Sequence, residues 1–440
     1  MINQEQYFKL AEELINTGKK NGATEIQISI SKSDDFSIEV KDGEIERLSQ
    51  AGPVGIGIKV IVDKRTATAS SSDMKKETLE NLVKNAVTRA KLASTDEFAG
   101  LPDNEKINSD ISALKLYDLK IEEVSSDLMI QRALDLEKMA MADKRATISG
   151  GSFFGKSTSE IYLINSNGFS NSFKTSSCST GVSLMSGENA NSYEDGYYDH
   201  TIHYEDLMSN ELIAAEAIRR LTRMLGAKKI KTQKVPIIFE QGISGSILGF
   251  LSSCLGGNSI YMKRSFLAGK LGEKIAPDFV NITDDGFIPK SPRSRPFDGE
   301  GVPTLKKSVV ENGILTSYLL DTYSARKLKM KSTGNASGTT NFTIGGNTSA
   351  KDIIKSVKEG LYLIKTIGQG TVPTSGDYSK GAYGLWIENG ELTYPVSEIT
   401  ISGNLGSMLK DIELVGNDVD FIHGKMVPTI KIKEMTISGL

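Results

Sequence analysis

Four dipeptides constrain this chain more than any other feature of its sequence. Asp42-Gly43, Asn167-Gly168, Asn312-Gly313 and Asn389-Gly390 each separate runs of alternating apolar residues. An Asx-Gly pair favours the left-handed backbone of a tight turn whose twist matches that of paired strands, so each dipeptide predicts a β-hairpin. Strands joined this closely pair antiparallel, and the regular helical crossovers that a parallel sheet requires are missing. The pattern therefore predicts an α+β fold with largely antiparallel sheet.

At 440 residues the chain exceeds one ordinary core, and three segments are expected. Residues 1–110 read as helix, strands, helix. Phe8, Ala11, Leu14 and Ile15 recur at helical spacing before Gly18 and Gly22. EIQISIS from Glu25, FSIEV from Phe36, GIGIKVIV from Gly55 and TATAS from Thr66 then alternate as strands. Asp73 is read as the N-cap of a helix ending near residue 93. A polar stretch over residues 94–110, containing Pro102, is read as a connection between lobes. Residues 111–230 repeat the theme, with helices predicted over 126–142 and 206–225 and strands between them, so two α+β lobes are expected. Residues 231–440 are Gly-rich and strand-rich, with short helices predicted near 245–255, 322–330, 352–358 and 405–410.

Charge and composition narrow the function. The balance of 52 Lys+Arg against 55 Asp+Glu gives −3 at pH 7, which speaks against a general nucleic-acid binder, because phosphate binding needs a cationic face. No apolar run approaches the roughly 18 residues of a membrane helix, and the N-terminal stretch, with acids inside an amphipathic pattern, does not fit a signal peptide. Two cysteines, Cys178 and Cys254, cannot build a disulfide framework or a thiolate zinc site, and suit a reducing cytoplasm. Three histidines leave very few places for imidazole chemistry.

Individual motifs are weak. Residues 150–157, GGSFFGKS, match the phosphate-binding P-loop pattern. That loop needs a helix starting at its Lys-Ser, whereas an alternating strand follows here, so a turn between strands is expected. Asp199, His200 and His203 lie among several acids and form a candidate oxygen/nitrogen metal site, but only a helical backbone would put both rings on one face; a polar connection is the simpler reading. Residues 242–246, GISGS, begin like a nucleophile elbow but end in Ser. Cys254 is read as a small buried residue. Lys263-Arg264 and Arg293-Ser294-Arg295 are read as solvated loop charge.

The C-terminal half is more specific. The strings FDGEGVPTLKKSVVENGILTSYLLDTYSARKLKMKSTGNAS from Phe297 and GQGTVPTSGDYSKGAYGLWIENGELTYPVSEITISGNL from Gly368 resemble the TldD/PmbA family. So do VGNDVD from Val415 and PTIKIKEMTISG from Pro428, in order and correctly spaced. The first 230 residues match more loosely, in IYLINSNGFSNSF and in layout. In this family the TldD branch is a metallopeptidase subunit with an H-E-x-x-x-H helix, whose imidazoles hold zinc while the Glu activates water, and a further cysteine ligand toward the C-terminus. The PmbA branch, also called TldE, lacks that site and pairs with TldD. Here Gly249 and Phe250 stand where the first His and the Glu would be, and Cys254 where the second His would be. Of candidate Cys and His ligands, residues 415–440 hold only His423.

The resemblance therefore implies a PmbA/TldE-like, non-metal subunit of a two-subunit cytoplasmic peptidase that processes or degrades small unfolded peptides. The family's older label is modulator of DNA gyrase; no direct nucleic-acid contact or membrane association is implied. No cofactor is expected in this chain and zinc is expected on a TldD-like partner, with a homodimer when the chain is alone. Exposed sheet edges suit peptide capture by strand addition, and Gly334, Asn335, Gly368, Gly370, Asp377 and Tyr378 are expected at a peptide cleft or subunit interface. The alternatives are a homodimeric peptide-binding protein without catalysis, a peptidase with an unconventional metal site at Asp199, His200 and His203, and a nucleotide-binding protein.

Overall fold

In the computed structural model, which describes residues 4–107, 110–187 and 193–440, the first half is one two-layered unit. It runs α1 (Gln4–Lys20), β1 (Glu25–Lys41), β2 (Glu44–Ala51), β3 (Val54–Val62), β4 (Arg65–Ser71) and α2 (Lys76–Leu92). α3 (Ser126–Ala140), β5 (Ile148–Asn165), β6 (Ser170–Ser186), β7 (Tyr193–Thr201) and α4 (Asn210–Thr222) follow. All seven strands join one sheet in the order β4-β3-β1-β5-β6-β7, with β2 also on β1.

The segments expected as two lobes thus share a sheet, because β1 pairs with β5 from Gln27↔Asn165 to Val40↔Ser152. The strings EIQISIS and FSIEV are two halves of the single strand β1, joined through the polar Ser33, Asp34 and Asp35. Ile26, Ile28, Ile30, Phe36, Ile38 and Val40 all lie on its buried face, as the period of two requires. α1 and α2 cover the first three with stripes such as Leu79, Val83, Ala86 and Ala90. α3 covers the last three. Each helix pair covers its own half of the sheet, and that is the origin of the repeated pattern in the sequence.

Two helix starts differ from expectation. Asp73 does not cap α2: its carboxylate accepts from Lys75 N at 3.0 Å and Thr78 Oγ1 at 2.9 Å, forming a local turn, and Lys75 holds the cap position without a side-chain bond. The long helix expected over residues 206–225 is split. A 3₁₀ turn, Tyr204–Asp206, precedes α4, which begins after an extended Ser209 whose hydroxyl accepts from Leu212 N. The connection expected over residues 94–110 is irregular as far as residue 107; residues 108 and 109 lie outside the described residues, as do residues 1–3 of the N-terminal stretch.

The second half contains β8 (Gln233–Phe239), α5 (Gly245–Leu255), α6 (Gly257–Tyr261), β9 (Ile282–Asp285), β10 (Lys307–Glu311) and β11 (Ile314–Leu315). α7 (Thr322–Leu328), β12 (Asn341–Ile344), α8 (Ala350–Lys355), β13 (Glu359–Ile367) and β14 (Thr371–Val372) come next. It ends with β15 (Asp377–Glu388), β16 (Glu391–Asn404), α9 (Leu405–Lys410), β17 (Ile412–Val415) and β18 (Ile430–Ser438). β9–β12 form a four-stranded sheet in the order β11-β10-β9-β12. The larger sheet runs β13-β8-β18-β16-β15 and closes on itself through β15–β13. Closure removes the free edges of those five strands, and it includes one parallel pair, β8–β13, in an otherwise antiparallel ring. The fold is α+β and mostly antiparallel.

Three of the four dipeptides place both residues at positive φ: Asp42 and Gly43 at 54° and 78°, Asn312 and Gly313 at 49° and 76°, Asn389 and Gly390 at 51° and 80°. Asn167-Gly168 belongs instead to a longer loop, in which Asn165 Oδ1 accepts from Asn167 N at 2.9 Å and Phe169 N at 3.1 Å. The glycines differ in surroundings. A Cβ on Gly43 would meet nothing within 4 Å, whereas on Gly313 it would lie 2.2 Å from the Ala276 carbonyl oxygen. Gly43→Ala should therefore cost only the left-handed strain, about 1 kcal/mol, and Gly313→Ala at least about 2 kcal/mol. Urea midpoints measure the difference; equal midpoints for the two variants would contradict the close approach at Gly313.

A cleft between the two halves at helix α5

β8 carries the chain through the closed sheet on Ile237, Ile238 and Phe239, all fully buried. The chain then turns at Gly242 (φ 86°) into α5. Ile247, Phe250, Leu251, Cys254 and Leu255 face the core, leaving Gly245, Gly249 and Ser252 along a cleft of about 420 Å³. A Cβ at Gly245 or Gly249 would meet nothing within 4 Å, so the helix presents open backbone there. The opposite wall comes from the first half of the chain: Tyr197 and Tyr198 on β7 and Arg220 on α4. The loop before β18 supplies His423 and Lys425, and Arg293 stands at the rim. A second groove of about 390 Å³ continues from the first, sharing Tyr197, Arg220, Glu240, Gln241 and Lys425.

The cleft is held by charge. Arg223 donates to both Glu240 oxygens at 2.6 and 3.0 Å, with both side chains largely buried. Arg220 stacks over Tyr197 with its guanidinium carbon 4.6 Å from the ring centre. His423 Nδ1 lies 2.7 Å from Asp199 Oδ1, and Asp199 Oδ2 accepts from Met208 N at 2.8 Å. This pair ties the C-terminal half to β7, and it joins residues 224 positions apart. Burial works to raise the Glu216 carboxyl, but hydrogen bonds from Arg219 and Arg220 outweigh it and bring it down to about 2. The sign follows: Glu216 contributes stability above its ordinary value of 4.5, lost as pH falls toward about 2. The stability difference between the parent and Glu216→Gln, measured by denaturant titration, should be present at neutral pH and vanish at the acid end of this window.

The residues singled out in the sequence are dispersed. Residues 150–157 lie inside β5, with a bulge near Gly151 (φ 96°), and so form neither a P-loop nor the expected turn between strands. His203 Nε2 contacts the Lys115 carbonyl at 2.8 Å, while Asp199 is taken by His423. His200 is partly buried near the end of β7, where desolvation lowers its pKa and Asp199 opposes the shift. Ser244 is buried and donates to the Val427 carbonyl at 3.2 Å. Cys254 is buried, and burial pushes its thiol up to about 11. Arg295, expected as solvated charge, instead donates to the carbonyls of Ser337, Gly338 and Thr339 at 2.6–3.3 Å, while Arg293 is exposed. Sequence separation hid this clamp.

Gly334 (φ 69°) and Asn335 belong to a buried network in which the Asn335 amide donates to Asp284 at 2.8 Å. Asn335 also lines a pocket of about 240 Å³ beyond Ser252. Gly368, Gly370 and Asp377 sit near the β13–β14–β15 turns, with Asp377 exposed and bonded to Ser375 and Asn404. Tyr378 is buried under α5, its hydroxyl 3.2 Å from Ser246 Oγ. Gly334 and Asn335 thus lie around Asp284, and the other four residues lie on β15 or between β13 and β15.

The residues at the positions expected from the family's metal motif do not offer a set of zinc donors. Gly249 faces the cleft with no side chain, Phe250 and Cys254 are in the core, and His423 is held by Asp199. Among the described residues no group of three or more His, Cys, Asp or Glu is arranged to hold a metal, and no helix among them is long and apolar enough to cross a membrane.

A closed sheet with one helix lining an interdomain cleft, backed by a helix-covered seven-stranded sheet, defines a two-unit α+β architecture. Three family models match it in order: "PmbA/TldA metallopeptidase domain 1" over residues 27–90, the central domain over 119–225 and the C-terminal domain over 232–439. The protein named Metalloprotease PmbA of Escherichia coli O157:H7 is 35% identical over 439 residues, covering 98% of this chain and 96% of that protein. A Bacteroides thetaiotaomicron crystal structure, provisionally labelled a modulator of DNA gyrase, superposes with TM-score 0.93 at 30% identity, covering 100% of both chains. TldE from Thermococcus kodakarensis superposes with TM-score 0.85 at 26% identity, covering 98% of this chain and 100% of that one. The chain belongs to the PmbA/TldD metallopeptidase family.

Proposed function

We propose that this chain is the non-metal, TldE-type subunit of a two-subunit peptidase acting on small unfolded peptides, with zinc carried by a TldD-like partner. The observation that carries the reading is the cleft face of α5: Gly245, Gly249 and Ser252 provide neither an imidazole nor a general-base carboxylate. Metal-assisted hydrolysis needs an open coordination site and a group to activate water, so the reading assigns that chemistry to another chain. The likeness to TldE over nearly the whole length supports the same assignment. The buried, unpaired cysteines support a reducing, cytoplasmic setting. Without its partner the chain is proposed to form a homodimer.

The test is co-expression with a TldD-like protein, followed by metal analysis and a peptidase assay on each subunit and on the pair. Peptide hydrolysis by the pair, with neither zinc nor activity in this chain alone, is the expected result. Stoichiometric zinc and hydrolysis by the isolated chain would overturn it.

A further inference from the structure

The two connected grooves between the halves carry cations that the fold leaves without ionic partners. Lys425 lies 5.4 Å from the Tyr197 ring centre and Arg293 is exposed at the rim; neither makes an ion pair among the described residues. Two of the nearby acids are paired with arginines. Glu216 is bound by Arg219 and Arg220 and Glu240 by Arg223, whereas Asp199 and Asp420 are hydrogen-bonded to His423. Asp418 accepts from Thr429 N and Oγ1 at 2.9 and 2.7 Å. Among the charged side chains lining the first groove, Arg220, Arg293 and Lys425 outnumber the single carboxylate of Glu240, in a chain whose net charge is −3.

The shape is equally specific. The floor is the bare Gly245–Gly249 face of α5, where a Cβ would have free space. Tyr198, 67% exposed, stands on the wall opposite. Two compartments of about 420 and 390 Å³ sharing a wall make an elongated site, each in the range of small-ligand pockets.

We propose that this groove binds an extended peptide segment bearing acidic side chains, its carboxylates meeting Arg293 and Lys425 while its backbone passes over the Gly245–Gly249 face. That the ligand is a peptide rests on the function proposed above; the preference for negative charge rests on the groove itself. Guanidinium and ammonium groups at a partly enclosed rim favour carboxylates through charge-assisted hydrogen bonds, and the interaction is screened by salt.

The experiment measures fluorescence anisotropy of the isolated full-length chain with a fluorescein-labelled peptide of alternating Glu, Gly and Ser, and with its Gln-for-Glu counterpart. The acidic peptide should bind about tenfold more tightly at low salt, and most of that advantage should disappear at about 500 mM NaCl. Arg293→Glu with Lys425→Glu should abolish the preference, as should the milder Arg293→Gln with Lys425→Gln. Gly249→Trp, which fills the floor without changing charge, should weaken binding of both peptides. Melting temperatures near the parent's establish that each variant is folded.

Equal affinity for the two peptides overturns the proposal, as does full binding by either double variant or by Gly249→Trp. Competition by inorganic phosphate at the concentration of the peptide itself would show a simple anion site and also overturn it. Because the assay needs no partner, failure to support a TldD-like subunit and failure to bind acidic peptide are separate results.

Discussion

Asp284→Ala should lower the unfolding free energy by about 3–5 kcal/mol, the scale for breaking a buried charge pair. Asp284 is fully buried at the centre of the β9–β12 sheet. One oxygen accepts from Thr340 N at 2.7 Å and Thr340 Oγ1 at 2.6 Å; the other accepts from Lys307 at 3.1 Å and Asn335 at 2.8 Å. Burial alone would raise this carboxyl, yet Lys307 and the hydrogen bonds from Thr340 and Asn335 hold it below the ordinary carboxylate range. Removing it takes the countercharge from the Lys307 ammonium, which keeps only Asn335 Oδ1 at 3.2 Å, and takes a buried acceptor from Thr340 and Asn335. Asp284→Asn, which keeps the shape but removes the charge, should be milder. A denaturant titration giving similar midpoints for Asp284→Ala and the parent would show that the network is dispensable.

Arg223→Ala should be comparably damaging, at about 3–5 kcal/mol, because Glu240 would keep a buried charge without its counterion. The pair links α4 to the residue that follows β8 and so joins the halves at the cleft. Its side chains are 9% and 13% exposed, too little for water to replace the lost guanidinium. Double replacement by Met and Gln should recover much of the loss, since a buried pair contributes little net stability over well-packed neutral groups. If Arg223→Ala proved as damaging when Glu240 was already Gln, the loss would come from packing and not from the uncompensated carboxylate. Hydrogen exchange should rise first in residues around Tyr197 and Gly242.

Legibility followed sequence distance. The turns at Asp42-Gly43, Asn312-Gly313 and Asn389-Gly390 were visible because two adjacent residues carry the whole conformational requirement. α5 and α9 were visible because an apolar stripe or a nearby cap marks them. The beginning of α4 was misplaced because Ser209 interrupts a periodic pattern that otherwise continues. The role of Arg295 was missed because its acceptors are carbonyls more than forty residues away, which no side-chain pattern records. The pairing of Asp199 with His423 was invisible for the same reason, although both residues stood out individually.

By itself the sequence determined the antiparallel α+β character, the positions of most helices, the family likeness and the absence of zinc-binding side chains at Gly249 and Phe250. Each of these depends on residue identity or on spacing within a few positions. Only the tertiary structure decided that two apparent lobes share one sheet, that β13 closes the ring against β15, and that the cleft carries unpaired cations. Strand partners, ring closure and leftover charge depend on which distant segments come together. A local pattern sets what a segment can bury, and the fold sets what it meets.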